Sequence, residues 1–117
     1  MNVLFHVDGV ERWNTVLTSV RNLMDQGRAQ QTPVQIEIVA SGEAVRTLIR
    51  DEAEKRSGLA ESLRHVAEEG VTLAVCGKAL EKYCIPAGLL LEEATVVPLG
   101  MMELAEKQTA GWAYIRL

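Results

Sequence analysis

Aromatic residues are scarce in this sequence, and it has no long apolar or basic segment. Aromatic side chains make up 4% of the 117 residues, so a core has to be filled by Val, Leu, Ile, Ala and Met. No run of about 20 apolar residues is present, and the sequence therefore predicts no membrane-spanning helix. Acidic residues outnumber basic ones by 16 to 12, and no cluster of Lys and Arg occurs, which predicts no nucleic-acid partner.

Several motifs that would identify a cofactor or a catalytic class are also missing. The two cysteines lack CxxC spacing and the two histidines are scattered, so there is no zinc signature. The turns at Asp8-Gly9 and Ser41-Gly42 form neither a GxGxxG nor a Walker pattern, and no GxSxG motif occurs. The sequence therefore predicts no metal and no cofactor.

The N-terminal residues and the low cysteine content bear on the expected compartment. Residues 1–6 lack the charged region of a secretory signal peptide and enter a strand-like pattern directly. We therefore expect a cytoplasmic protein, in which two cysteines are more often free, catalytic or redox-active than joined in a structural disulfide.

Apolar runs and helical periodicities alternate along the chain. The predicted strands are Val3–Val7, Val34–Ala40, Val71–Val75, Ala94–Val97 and Trp112–Leu117. The predicted helices are Glu11–Asp25 with Gly27 as its stop, a helix from Glu43, Leu59–Glu69, a turn at Lys78–Lys82 and Met101–Ala110. Residues 50–57 read as helix or exposed connection, and residues 83–91 are ambiguous.

The order of these elements predicts a single α/β domain over residues 1–117. Strands that alternate with helices indicate a mostly parallel sheet covered by helices on both faces. In such sheets, ligands bind beyond the carboxyl ends of the strands. Candidate site residues are therefore sought where the predicted strands end.

Cys76 is the leading candidate because it follows a buried strand and precedes Gly77 and the helical turn that starts at Lys78. Backbone N–H groups and the dipole at a helix start favour an anion, and they stabilise a thiolate. Lys78 could add positive potential, although a lysine at such a position is more often a surface residue. The alternative for Cys76 is a buried structural cysteine that behaves as a small apolar residue.

Three further residues could support or modify the chemistry of Cys76. His6 and Asp8 share one face of the first strand, and either could approach Cys76 if that strand neighbours the third one. The alternative is a satisfied core histidine and a loop-capping aspartate. Cys84 could resolve an oxidised Cys76 if the intervening turn folds back, or it could be a packed apolar cysteine.

The remaining candidate residues are interpreted mainly as structural residues. Ser41 is predicted to cap the second helix with its side chain, and Glu43 lies in the first turn of that helix at the same sheet edge as Cys76. Trp13 belongs to a helical stripe that indicates core or a subunit interface. Met101 and Met102 are interpreted as adaptable packing residues.

The ordered set of segments resembles the DsrE/DsrF-like family over nearly the whole chain. The resemblance rests on Val3–Asp8, Ile38–Val45, Gly70–Gly77 and Gly111–Arg116. It implies a three-layer α/β/α domain with a five-stranded parallel sheet and a homo-oligomer, commonly a dimer, trimer or hexamer. It also maps the family cysteine at the end of the third strand onto Cys76.

The resemblance implies a sulfur carrier or sulfurtransferase-like protein that holds a transient persulfide on Cys76 and exchanges sulfur with a donor or acceptor protein. Two alternatives stay open. The first is a non-catalytic, oligomeric small-ligand-binding or regulatory module with a structural Cys76. The second is a redox switch between Cys76 and Cys84.

Overall fold

The computed structural model describes residues 1–117 and contains one five-stranded sheet. Its strands are β1 (Asn2–Val7), β2 (Gln35–Ala40), β3 (Thr72–Cys76), β4 (Ala94–Val97) and β5 (Ala113–Arg116). Each run of β-branched and aliphatic residues that predicts a strand forms one, with bounds that differ by at most one residue.

Five α-helices connect or flank the strands. They are α1 (Trp13–Ala29), α2 (Arg50–Lys55), α3 (Leu59–Glu68), α4 (Gly77–Lys82) and α5 (Gly100–Thr109). The segment after β2, predicted as an α-helix from Glu43, is a 3₁₀ helix over Gly42–Leu48, and short 3₁₀ turns also cover Val10–Arg12 and Ala87–Leu89. No helix is both long enough and apolar enough to cross a membrane.

All neighbouring strands are parallel, in the order β4-β3-β2-β1-β5. The prediction of a mostly parallel α/β sheet is confirmed. The expectation that the first strand could neighbour the third is wrong, because β2 lies between β1 and β3. The chain instead places its fifth strand beside β1, so the connection through α5 crosses the whole sheet.

The two faces of the sheet carry different cores. Val3, Phe5 and Val7 of β1 face a large cluster of buried apolar residues that includes residues of α1 and α3. The opposite face carries Leu4 with Val39 and Ala74, and Leu104 of α5 packs partly buried against them, as do Val97 and Trp112. This second face has one α-helix over it, and it is the face toward which His6 and Cys76 point.

Trp13 is buried as predicted, and its indole Nε1 donates a hydrogen bond to Thr47 Oγ1 at 2.7 Å. Met101 and Met102 are exposed, so the interpretation that they pack within the fold of a single chain is wrong. The helical periodicity of α5 instead turns Gly100, Glu103, Leu104 and Lys107 toward the sheet.

Gly27 does not stop the first helix. The helix continues to Ala29, and the chain turns at Gln31, which has a φ of 56°. Gly27 is buried, and a Cβ atom there would lie 2.7 Å from Val34 Cγ2 and 3.0 Å from the Thr32 carbonyl oxygen. This glycine is therefore required by the close approach of the loop that follows α1.

Candidate functional site

Cys76 lies at the carboxyl end of β3, directly before α4. It is 6% exposed, and its extended backbone (φ −66°, ψ 115°) occupies the position just before the first helical residue. The candidate cysteine is thus at the predicted strand end, and it is largely covered.

The start of α5 packs directly onto Cys76. A Cβ atom at Gly100 would lie 3.1 Å from Cys76 Cβ and 3.5 Å from Cys76 Sγ, so the absence of a side chain at Gly100 permits this contact. No side chain caps α5, and its first amides have no acceptor within the helix. The sulfur of Cys76 therefore lies beside the amino-terminal ends of both α4 and α5.

Gly77 allows the turn after β3 to approach β4. A Cβ atom there would lie 2.9 Å from the Val97 carbonyl oxygen and 3.2 Å from the Pro98 carbonyl oxygen. Gly77 thereby fixes the position of Cys76 relative to the loop that leads into α5.

His6 is the centre of a hydrogen-bonded chain at the same edge of the sheet. Its Nε2 lies 2.8 Å from Ser41 Oγ, and its Nδ1 lies 2.9 Å from the Tyr114 hydroxyl oxygen. We call these three residues the His6 chain. Ser41 occupies the predicted position before the helical turn, but its side chain makes no capping hydrogen bond. The prediction of a capping hydroxyl is therefore wrong, because that hydroxyl is bonded to His6.

Asp8 and Arg116 form an ion pair beside His6. Arg116 Nη2 donates to Asp8 Oδ2 at 2.7 Å, so Asp8 binds β5 rather than capping a loop. The pKa of His6 is lowered mainly by its burial; Asp8 raises it and Arg116 lowers it. The imidazole of His6 is consequently neutral at neutral pH.

The His6 chain and Cys76 lie on one face of the sheet. Residues Ala40 and Val75 are opposite each other in β2 and β3, so Ser41 and Cys76 occupy the next opposing positions. His6 is opposite Val39, two residues before Ser41, which places all three side chains on the same side. His6, Ser41 and Cys76 thus share one face at this edge of the sheet, with Ser41 on the strand between the other two.

Two of the other candidates lie away from this cluster. Lys78 is exposed, and its Nζ lies 3.4 Å from Glu81 Oε2. Glu43 is exposed and borders a surface cavity of about 380 Å³, together with Arg46 and Arg56. Neither residue has a contact with Cys76 or His6 among the ion pairs and side-chain hydrogen bonds of the structure.

Cys84 is exposed, and like Cys76 it is a free cysteine. Its φ of 55° places it in the left-handed region, in the turn after α4. The six residues of α4 rise about 9 Å along the helix axis, whereas a disulfide needs Cα atoms within about 7 Å. A bond between Cys76 and Cys84 would therefore require α4 to unwind.

Tyr114 and Arg116 were not among the sequence candidates. The alternation in the closing strand indicates that both side chains share one face, but only the pairing of β5 with β1 brings them to His6 and Asp8. A polar pair at alternate positions of a closing strand is the signal that could have drawn attention to them.

Glu37 is a second residue that the sequence did not single out. It lies in the middle of the sheet, 3% exposed, and its Oε2 has no hydrogen-bond partner. Lys107 Nζ of α5 is 3.6 Å from Glu37 Oε1, and Glu103 lies beside the pair. Burial, followed by the neighbouring Glu103, raises the pKa of Glu37 to about 7. No group of three or more His, Cys, Asp or Glu side chains converges as a metal ligand set.

A family model and a solved structure each match this chain over all or nearly all of its length. The model of the DsrE/DsrF-like family matches residues 1–117. A solved structure of a protein of unknown function, MTH1491 from Methanobacterium thermoautotrophicum, is 33% identical, with a TM-score of 0.85 over 99% of this chain and 98% of that chain. No curated protein matches the sequence. The similarity to the solved structure confirms the five-stranded α/β fold.

Proposed function

Because the chain belongs to the DsrE/DsrF-like family, which is linked to sulfur relay, we propose that it carries sulfur as a persulfide on Cys76. The family alone supports sulfur chemistry only in general terms. The proposal for this chain depends on the surroundings of Cys76.

The contact between Cys76 and the first turn of α5 is the observation that carries the proposal. Sulfur transfer needs a thiolate to attack and a persulfide that is protected from water. Free amides and the positive end of the helix dipole at Gly100 stabilise negative charge on the sulfur. The 6% exposure of Cys76 limits access of water to the carried sulfur.

The reaction is a thiol exchange without net oxidation. The Cys76 thiolate attacks the outer sulfur of a donor persulfide, the S–S bond of the donor breaks, and the donor leaves as a thiolate. In the second half, an acceptor thiolate attacks the outer sulfur held on Cys76 and restores the Cys76 thiolate. The donor and acceptor are thiols or persulfides that reach the sheet edge near Cys76.

The burial of Cys76 also favours a second candidate, an oligomeric binding or regulatory module in which this cysteine is structural. In that case the sulfur packs against Gly100 as a small apolar group and takes part in no exchange. The two candidates differ in whether the sulfur reacts.

Intact-mass measurement after incubation with a low-molecular-weight persulfide distinguishes these candidates. We expect the Cys84→Ser variant to gain one sulfur atom. We expect the Cys76→Ser variant, which retains only Cys84, to gain none. Peptide mapping locates the added sulfur. Cys84→Ser is the matched control because Cys84 is exposed, and exposure alone would load it first. Loading on Cys84 only, or on neither cysteine, contradicts the carrier function and supports the binding module.

A further inference from the structure

The hydrogen bonds of the His6 chain give Ser41 and His6 the donor and acceptor atoms between which a proton can move. A neutral imidazole has one N–H donor and one acceptor nitrogen. When Nδ1–H donates to the Tyr114 oxygen, Nε2 is free to accept from the Ser41 hydroxyl. In this arrangement Ser41 Oγ retains a lone pair with which it can accept a further proton.

Ser41 lies beside the position of Cys76 on the neighbouring strand. Ser41 and Cys76 follow the paired residues Ala40 and Val75, and both have extended backbone conformations. Adjacent strands are about 4.8 Å apart, and opposing side chains of parallel strands point to the same face. Cys76 is therefore the next side chain across the sheet from the serine end of the His6 chain.

The charged groups around His6 are already paired with one another. Asp8 on its own strand is bound by Arg116 of β5, and Tyr114 of β5 and Ser41 of β2 occupy its two nitrogens. From α5, the sheet-facing charges are Glu103 and Lys107, and both are engaged at Glu37. His6 is thus a neutral base at neutral pH, since its burial lowers the pKa of the ring.

We propose that Ser41, His6 and Tyr114 form a proton relay for the thiol of Cys76. His6 accepts the proton, Ser41 bridges it, and Tyr114 is a positioning residue that fixes the tautomer of His6. This inference rests on the proposed function, because it treats Cys76 as the reacting residue.

The relay step conserves atoms and charge. The S–H bond of Cys76 breaks and its proton moves to Ser41 Oγ, while the original hydroxyl proton of Ser41 moves to His6 Nε2. The products are a Cys76 thiolate and a His6 imidazolium, whose Nδ1–H still donates to Tyr114. After sulfur exchange, the leaving thiolate takes up a proton and His6 returns to the neutral state, so no oxidant or reductant is consumed.

The test is the rate of alkylation of Cys76 by iodoacetamide as a function of pH, measured by mass spectrometry on the full chain in a Cys84→Ser background. We expect Ser41→Ala and His6→Gln each to lower the rate near neutral pH by about tenfold. The difference should close at alkaline pH, where hydroxide removes the thiol proton directly. Tyr114→Phe should give a smaller loss of the same pH dependence. His65→Gln is the matched control, since His65 is exposed and lies on α3, and it should leave the profile unchanged.

Three results would overturn the relay: wild-type profiles in Ser41→Ala and His6→Gln, an equal loss of rate at every pH, or no alkylation of Cys76 at any pH. If circular dichroism shows that His6→Gln is unfolded, Ser41→Ala, which removes one hydroxyl group, decides the question. Iodoacetamide needs no sulfur donor. A pH-dependent relay in a protein that gains no persulfide would therefore refute the proposed function and retain the relay, and the opposite result would refute only the relay.

Discussion

Glu37 is the buried carboxylate that most affects the pH dependence of folding. Its burial raises the pKa from 4.5 to about 7, and Lys107 at 3.6 Å offsets only part of this effect. Because the folded state holds the proton more tightly than the unfolded state, folding is most favourable below the unfolded pKa of 4.5. The free energy of unfolding then decreases as the pH rises through about 7.

Replacing Glu37 by Gln should remove this pH dependence. The wild-type protein is expected to lose stability on the order of 3 kcal/mol between about pH 4 and about pH 8 from this residue, an upper bound because Glu103 and Lys107 share the proton equilibrium. Urea unfolding at the two pH values measures it. Glu106→Gln is the control, since Glu106 is exposed on α5, the helix that carries Glu103 and Lys107. An identical decrease in the wild type and Glu37→Gln would show that the proton is bound elsewhere.

At the scale of elements, the packing of α1 is set by a glycine that the sequence pattern presents as a helix stop. Ala in a helix interior is favoured over Gly by about 1 kcal/mol. At position 27, however, a Cβ atom would meet Val34 Cγ2 at 2.7 Å, and the backbone oxygen of Thr32 at 3.0 Å leaves little room to relax. Steric overlap and helix propensity therefore act in opposite directions.

We expect Gly27→Ala to lower the free energy of unfolding by about 1–2 kcal/mol, because overpacking outweighs the gain in helix propensity. Chemical denaturation with unchanged m-value measures this effect. Gly88→Ala is the matched control, since a Cβ atom there meets nothing within 4 Å. A Gly27→Ala protein as stable as the control would mean that the loop after α1 relaxes freely.

Local patterns predict most of the elements but not the contacts between distant ones. The strand before Cys76 and the helix stripe at Trp13 are visible because their periodicity is local. The pairing of β5 with β1 is not local, so the partners Tyr114 and Arg116 could not be predicted from their own segment. The sequence predicts that the Ser41 hydroxyl caps a helix, whereas its observed hydrogen bond to His6 depends on the register of two strands.

At the scale of the whole molecule, four of the eight exposed large apolar side chains belong to or closely follow one edge strand of the sheet. Met101 and Met102 are 74% and 54% exposed, and Leu99 and Val96 lie exposed within a few residues of them. This group follows or belongs to the edge strand β4, whose outer side has no partner strand. An apolar patch next to an open strand edge is typical of a subunit interface. We propose a second copy of this chain as its partner, in line with the homo-oligomer that the resemblance implies.

Light scattering after size-exclusion chromatography tests this interface. We expect the wild-type chain to form a homo-oligomer and Met102→Glu to shift it to monomer, because a buried unpaired charge opposes association. Leu89→Glu is the matched control, since Leu89 is also exposed but lies outside the patch. A wild-type monomer at all concentrations, or equal effects of both substitutions, would exclude this surface as the interface.

The strand β5 has a protective role in addition to its contribution to the His6 chain. Its backbone covers the outer edge of β1, which would otherwise offer unpaired amides and carbonyls flanked by Leu4 and Phe5. His6 and Tyr114 are 108 positions apart, so their contact forms only after this long-range pairing. A molecule in which β5 detaches would lose the proton path and expose an aggregation-prone edge in the same event. The molecules in which β5 has detached are consequently also those most prone to self-association through β1.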